Sequence, residues 1–141
     1  MLKYKVGTDV VDWELLIQMY SVTDGVIGLA RKGESAKIKR AFLNSYKVVT
    51  AWDNEIIIGA GRMISDGECY AWIHDIAVHP DYRKLGAGRG VMDKLMEGNE
   101  GLLIGLTSSF EAVDFYKKVG FSKHKTGMAK YPGKSTYLEY E

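Results

Sequence analysis

The central part of the chain carries long runs of apolar and alternating residues that predict β-strands. These runs extend from Tyr46 to Trp52, from Glu55 to Ile64 and from Tyr70 to Val78. Asp53-Asn54 is a hairpin signal between the first two, and Asp66-Gly67 turns the chain into the third. We therefore predict an antiparallel meander of three strands.

Apolar residues recur at helical spacing in four other stretches. The first helix carries Trp13, Leu16, Ile17 and Tyr20 behind a cap at Asp9 or Asp12, and the second covers Glu34 to Leu43. The third carries Val91, Leu95 and Met96, and the fourth follows an N-cap at Ser108-Ser109 and ends at Gly120. Val22 to Gly33, which contains three glycines, is predicted to be a connection.

The remaining strands flank these helices. Leu2 to Val6, Gly101 to Thr107, a run from Phe121 and Ser135 to Tyr140 all have strand character. Because a helix joins Tyr70–Val78 to Gly101–Thr107, these two strands should run parallel. The predicted order is βααβββαβαββ, an α/β fold with a mixed sheet, in one domain over residues 1–141.

Composition limits the classes of function. The chain has 141 residues, 46% hydrophobic and 26% charged, with a formal net charge of +1. So small a charge argues against nucleic acid or an anionic membrane as partner. No apolar run is long enough to span a membrane and no signal peptide is recognised, which predicts a cytoplasmic protein. The single cysteine, Cys69, excludes an internal disulfide and is expected to be a small buried thiol.

The turn after the strand Tyr70–Val78 has the features of an anion site. Arg83 to Gly88 supplies glycines that let the backbone approach a ligand, and a helix that starts there presents free N–H groups and its positive dipole end. The spacing fits neither a P-loop nor the dinucleotide fingerprint. Phosphate is the ligand that this pattern favours, although glycine pairs also occur in ordinary strand-to-helix turns.

Ile76-Ala77-Val78-His79-Pro80 followed by Tyr82-Arg83-x-x-Gly86-x-Gly88 resembles the acetyl-CoA signature of the GNAT N-acyltransferase superfamily. The resemblance implies a GNAT-like fold with acetyl-CoA as co-substrate and no metal. It further implies that pantetheine enters a V-shaped gap beside the central strand and pairs with its main chain. The implied acetyl-CoA contacts are Ile76, Ala77, Val78, Arg83, Lys84, Leu85, Gly86, Ala87, Gly88, Arg89, Ser109, Phe115 and Tyr116.

A second segment also resembles this superfamily. Ser109-x-x-Ala112-x-x-Phe115-Tyr116-x-x-x-Gly120-Phe121 is similar to its Asn-x-x-Ala-x-x-x-Tyr-x-x-x-Gly-Phe pattern, with Ser109 in place of the usual asparagine. The resemblance implies that Tyr116 protonates the leaving thiolate, for which a phenol with a pKa of about 10 is suited. The alternative is a packed core tyrosine.

An amine must lose a proton to attack a thioester, so a base is expected near the reaction. Side chains alternate along the strand, so we expect Trp72, His74, Ile76 and Val78 on one face and Ile73, Asp75 and Ala77 on the other. His74 occupies a position where the superfamily carries its base, and imidazole titrates near neutrality. A satisfied core histidine is the alternative, and Asp75 is the second candidate, with a structural role favoured by its parity.

The resemblance thus implies direct transfer of an acetyl group from acetyl-CoA to a primary amine of a small molecule, with aryl and arylalkyl amines among the candidates. A protein or peptide amine is another candidate acceptor, and a homodimer is compatible with the pattern. A CoA-binding regulatory module without turnover and a generic phosphate-binding domain are the rival interpretations. Several aromatic residues could line an acceptor pocket, or simply fill the core: Trp13, Tyr20, Trp52, Tyr70, Trp72 and Tyr131.

Overall fold

The computed structural model describes residues 1–23 and 33–140. Within them a sheet of five strands runs in chain order from β1 to β5. The first four strands pair antiparallel, whereas β4 and β5 pair in parallel, so the predicted meander and crossover are confirmed. The strands are β1 Leu2–Val6, β2 Lys47–Asp53, β3 Ile56–Ser65, β4 Tyr70–Val78 and β5 Leu103–Leu106.

The helices begin and end close to their predicted positions. They are α1 Trp13–Ser21, α2 Ser35–Leu43, α3 Ala87–Met96 and α4 Val113–Lys118, with single 3-10 turns at Pro80–Tyr82 and Phe110–Ala112. Asp12 caps α1 by accepting a hydrogen bond from the Leu15 N–H at 3.1 Å. Gly120 ends α4 with a positive φ of 102°.

Two hydrophobic clusters lie on the two faces of the sheet. Helices α1 and α2 cover one face, where the fully buried Leu16 and Phe42 pack against Val48. Helix α3 covers the other face with Val91 and Leu95, which are also fully buried. The residues of α4 that contact the core join this second cluster. The helices thus fix β3 and β4 from both sides.

A β-bulge in β4 interrupts the alternation that the sequence predicts. Asp75 and Ile76 together lie opposite the single residue Gly61 of β3, and Asp75 has a positive φ of 60°. As a result Ile73 packs in the α3 cluster, whereas Ala77 packs in the cluster under α1 and α2. The prediction that Ile73, Asp75 and Ala77 share a face is therefore wrong, because the extra residue changes the parity beyond it.

The two strands predicted after α4 are not formed in the described residues, which end at residue 140. Residues 122–130 are exposed and include four lysine or histidine side chains among few apolar ones, so they offer little surface to bury. Ser135 to Tyr140 is held by local contacts instead, in which the Ser135 N–H donates to the Tyr140 hydroxyl at 3.0 Å. The fold is the predicted mixed sheet without its last two strands.

Three further expectations concern Cys69, the connection Val22 to Gly33 and membrane-spanning segments. Cys69 is exposed in the turn before β4, so the predicted buried thiol is wrong. Residues 24–32 of the predicted connection Val22 to Gly33 lie outside the described part of the chain. No helix in the described ranges has both the length and the apolar character needed to cross a membrane.

Candidate active site

Strands β4 and β5 separate before β4 ends. Their pairing runs from Tyr70 with Leu103 to Ile73 with Leu106. The rest of β4, from His74 to Val78, continues without a β5 partner. Main-chain groups along this edge that β5 does not pair can bind an extended ligand, as strand groups do in β-augmentation. This gap is where the resemblance places pantetheine.

The loop from Arg83 to Gly86 leads from the end of β4 into α3. Lys84 and Gly86 both have positive φ values, of 70° and 82°. Gly86 is the N-cap of α3, and within the described residues no side-chain cap bonds the first N–H groups of that helix. The exposed Arg83 and Lys84 add positive charge to this end. The predicted anion-binding features, free helical N–H groups and cationic side chains, therefore occur together here.

Phe115 of α4 lies against the first turn of α3. A Cβ atom at Gly88 would sit 3.3 Å from Phe115 Cζ and 3.7 Å from Val78 Cγ2. Gly88, the second glycine of the motif, thus lets three elements meet closely. It serves packing as well as the approach of a ligand to the backbone. Of the other predicted contacts, Ala87 is buried, whereas Leu85 and Arg89 are exposed.

Tyr116 joins the partly buried residues around the α3 cluster, together with Ile76 and Val78. Its ring makes edge contacts with Phe115 at 5.0 Å and with Phe121 at 6.2 Å between centroids. In the described part of the chain its hydroxyl has no hydrogen-bond partner. Burial raises the pKa of Tyr116 above 10.0. The phenol is thus packed through its ring and is protonated throughout the neutral range.

His74 lies on the opposite face of the sheet from Ile76. Its cross-strand neighbour is Arg62 of β3, whose guanidinium carbon lies 5.6 Å from the centroid of Phe42 on α2. The predicted common face of His74 and Ile76 is therefore wrong, again because of the bulge. Burial, followed by the charge of Arg62, lowers the pKa of His74 below 6.5, and Asp75 opposes this in part. The imidazole is therefore neutral at physiological pH.

The Asp75 side chain is engaged in an ion pair. Arg62 Nε donates to Asp75 Oδ2 at 2.7 Å, and each side chain is 15% exposed. The Tyr20 hydroxyl donates to the main-chain carbonyl of Asp75 at 2.5 Å. The carboxylate and the carbonyl of Asp75 are thus each bound by a side chain from another element. Sequence reasoning did not identify Arg62, although an arginine inside an apolar strand is a signal for a buried partner, and it named Tyr20 only as a core or acceptor-pocket residue.

Ser109 precedes the 3-10 turn before α4, but its side chain does not cap that turn. Its carbonyl accepts hydrogen bonds from the Ala112 N–H at 3.2 Å and from Ser108 Oγ at 2.6 Å. Among the aromatic candidates for an acceptor pocket, Tyr20 and Trp52 are core residues, each 7% exposed. They are therefore excluded from that role.

Tyr70 and Trp72 remain accessible, at 64% and 42% exposed. Trp72 is paired with Gly105 of β5, and a Cβ there would overlap its ring. The ring thus lies over β5 on the face that carries His74, because residues two apart in a strand share a face.

A sequence profile of the acetyltransferase (GNAT) domain matches residues 44–123 of the chain. An uncharacterized N-acetyltransferase, ycf52, of Pyropia yezoensis is 32% identical over 99 residues, which cover 65% of this chain and 57% of that protein. The chain thus spans little more than half the length of this relative.

Solved structures share the fold at low sequence identity. A GNAT-family acetyltransferase of Streptococcus pneumoniae superposes with a TM-score of 0.77 at 22% identity, over 93% of this chain and 98% of that one. The aminoglycoside N-acetyltransferase AAC(6')-Iy, solved in complex with CoA, gives a TM-score of 0.70 at 12% identity, over 93% and 94% of the two chains.

Proposed function

Because this chain belongs to the GNAT acetyltransferase family, we propose that it transfers an acetyl group from acetyl-CoA to a primary amine by direct attack. The observation that carries the proposal is the separation of β4 from β5 beyond Ile73, directly beside the start of α3. An extended ligand that ends in phosphates can pair with the free edge of β4 and place its phosphates at the start of α3. That is the shape and chemistry of acetyl-CoA.

The residues present fit this co-substrate. The first N–H groups of α3 lack a side-chain cap, and Gly86 has open space where a Cβ would lie, so phosphate oxygens could approach the main chain. Arg83 and Lys84 can balance the phosphate charge. Main-chain groups from Ile76 to Val78 would hold the pantetheine amides and polarise the carbonyl to be attacked. Bound acetyl-CoA supplies the activated acetyl group as a thioester.

Two side chains would move the protons that this transfer requires. His74, neutral at physiological pH, would accept the proton that the amine nitrogen loses as it forms the N–C bond, directly or through a water. Tyr116 would donate its hydroxyl proton to the sulfur as the C–S bond breaks. The raised pKa of Tyr116 supports this role because it keeps the phenol protonated.

We further propose a small-molecule acceptor that approaches from the face of His74, with aryl and arylalkyl amines as the first class to test. The exposed rings of Tyr70 and Trp72 on this strand support that choice, because flat apolar side chains can stack on an aromatic acceptor.

An acceptor panel tests the proposal directly. Thiol release from acetyl-CoA is measured with arylamines, alkylamines, aminoglycosides and peptides bearing lysine or a free N-terminus, and thermal shifts are recorded with acetyl-CoA, CoA and ATP. We expect stabilisation by acetyl-CoA and CoA, and release with at least one amine. Stabilisation without release on any amine would favour a CoA-binding module. Equal stabilisation by ATP would favour a general phosphate-binding domain.

A further inference from the structure

The bulge in β4 is bound by side chains from elements outside β4. Arg62 of β3 pairs with the Asp75 carboxylate at 2.7 Å, and Tyr20 of α1 donates to the Asp75 carbonyl at 2.5 Å. On the other face a Cβ at Gly61 would lie 2.3 Å from Ile76 Cδ1, so the glycine leaves the space that the Ile76 side chain occupies. Both faces of the sheet are thus adapted to one irregular residue pair.

Arg62 is itself held by the end of α2. Its Nη1 donates to the Ala41 carbonyl and to Ser45 Oγ, both at 3.4 Å, and its guanidinium lies over the ring of Phe42. Ser45 Oγ in turn donates to the Ala41 carbonyl at 2.9 Å. The guanidinium therefore connects the covering helix to the bulge.

The conformation maintained in this way is an unfavourable one. Asp75 has a φ of 60°, a region that non-glycine residues occupy only when their surroundings require it, and such residues concentrate at functional sites. The bulge also determines which side chains reach which face, since His74 and Ile76 point to opposite sides. In a regular strand without the bulge these two residues would share a face, since side chains two apart point the same way.

We propose that Arg62 and Tyr20 are positioning residues for the acetyl transfer. By binding the carboxylate and the carbonyl of Asp75, they hold the segment of β4 beside the β4–β5 gap in the conformation that presents His74 to one side and Ile76 to the other. Asp75 is then the group through which they act, and it is not the base. This inference rests on the proposed function, because its activity readout is acetyl transfer.

Substitutions at Asp75 separate this role from that of a base. Asparagine tolerates a positive φ and keeps an oxygen that can accept from Arg62, glycine tolerates the φ alone, and alanine provides neither. We expect kcat to fall in the order Asp75→Asn, Asp75→Gly, Asp75→Ala, with Ala on the order of tenfold below Asn. If Asp75 were the base, all three would lose the same large factor, and that result would overturn the inference.

Arg62→Met is the complementary test. We expect kcat to fall on the order of tenfold while the Kd for acetyl-CoA, measured by calorimetry, changes little. The double variant Arg62→Met/Asp75→Gly should recover part of the loss, since glycine no longer needs the ion pair to keep its φ. Lys94→Met, which removes the surface pair with Glu97, is the control and should leave kcat unchanged. A variant Arg62→Met with wild-type kcat per folded molecule would overturn the inference.

Amide hydrogen exchange gives a readout that does not depend on turnover. In folded Arg62→Met, Tyr20→Phe and Asp75→Ala, the amides of residues 74–77 should exchange about tenfold faster than in wild type, whereas those of β2 should not change. Unchanged exchange at residues 74–77 would overturn the inference. Should wild type acetylate no amine at all, the proposed function fails, and the exchange comparison by itself decides whether these residues hold the bulge.

Discussion

Tyr116 combines an apolar setting for its ring with a hydroxyl that makes no hydrogen bond within the described residues. Its ring packs on Phe115 and Phe121, so removal of the oxygen should leave the packing intact. We expect Tyr116→Phe to lower kcat by about 10²-fold and to leave the affinity for acetyl-CoA nearly unchanged, because proton donation matters only as the C–S bond breaks.

Single-turnover kinetics and calorimetry on the same sample provide the comparison for Tyr116→Phe. Tyr46→Phe is the matched control, since Tyr46 is 50% exposed just before β2, and its loss of a hydroxyl should not affect either quantity. A Tyr116→Phe enzyme with full kcat would make Tyr116 a packing residue.

The sign of the His74 pKa shift predicts the pH profile. Because burial and Arg62 lower the pKa, the imidazole remains an available base to a pH below 6.5 and is protonated only beneath that. We expect the acidic limb of kcat/KM to lie below 6.5 and to disappear in His74→Gln, with a rate loss of about 10²- to 10⁴-fold. An arylamine acceptor of low pKa prevents titration of the acceptor from producing the same limb.

Folded His74→Gln must be compared with a variant that loses a histidine elsewhere. His124 is exposed after α4, so His124→Gln should keep both the limb and the rate. Persistence of the acidic limb in His74→Gln would place the base at another group or at solvent.

At the level of elements, the N-terminus of α3 is predicted to bind acetyl-CoA, and the C-terminus of the same helix serves as the control. Gly86 and Gly98 flank this helix with φ values of 82° and 80°, and a Cβ at either would meet no atom of the described residues within 4 Å. Valine at either position carries similar backbone strain. We expect Gly86→Val to weaken acetyl-CoA binding on the order of tenfold, because its side chain enters the space of the phosphates, and Gly98→Val to leave affinity unchanged.

Calorimetry with acetyl-CoA on both valine variants decides the matter, and their melting temperatures confirm that the strain is comparable. Equal Kd values for Gly86→Val and Gly98→Val would show that the phosphates of acetyl-CoA do not bind at the N-terminus of α3. Gly86→Asn adds a further point, since asparagine tolerates the same φ but still carries a side chain.

The periodic elements could be predicted from sequence because each depends on its own residues. Alternation identified β2 to β4, the helical period identified α1 to α4, and the glycine motif located the start of α3. The parity of β4 could not be predicted, since the side chains that bind the bulge at Asp75 come from Arg62 and Tyr20, which are distant in sequence. The prediction of a closing strand was wrong for a related reason. The pattern of Ser135–Tyr140 fits a strand, but a strand also needs a neighbouring strand to pair with, which the pattern does not reveal.

At the scale of the whole molecule, the core under α1 and α2 also supports the site. The ring of Phe42 lies 5.8 Å from Tyr20 between centroids and 5.6 Å from the Arg62 guanidinium carbon, so it contacts both residues that bind Asp75. Leu16 belongs to the same cluster and is equally buried, without a contact to Arg62 of this kind. Substitution of Phe42 should therefore affect both stability and catalysis, whereas substitution of Leu16 should affect stability alone.

We expect Phe42→Leu and Leu16→Val each to lower the free energy of unfolding by about 0.5 to 3 kcal/mol, the usual range for core substitutions. Only Phe42→Leu should also lower kcat per folded molecule, because it leaves Arg62 and Tyr20 without the ring that orders them. Chemical denaturation gives the folded fraction, and rates measured well below the melting transition give kcat. If both variants lose stability and neither loses kcat, the core acts only on folding, and the arrangement at Asp75 does not depend on Phe42.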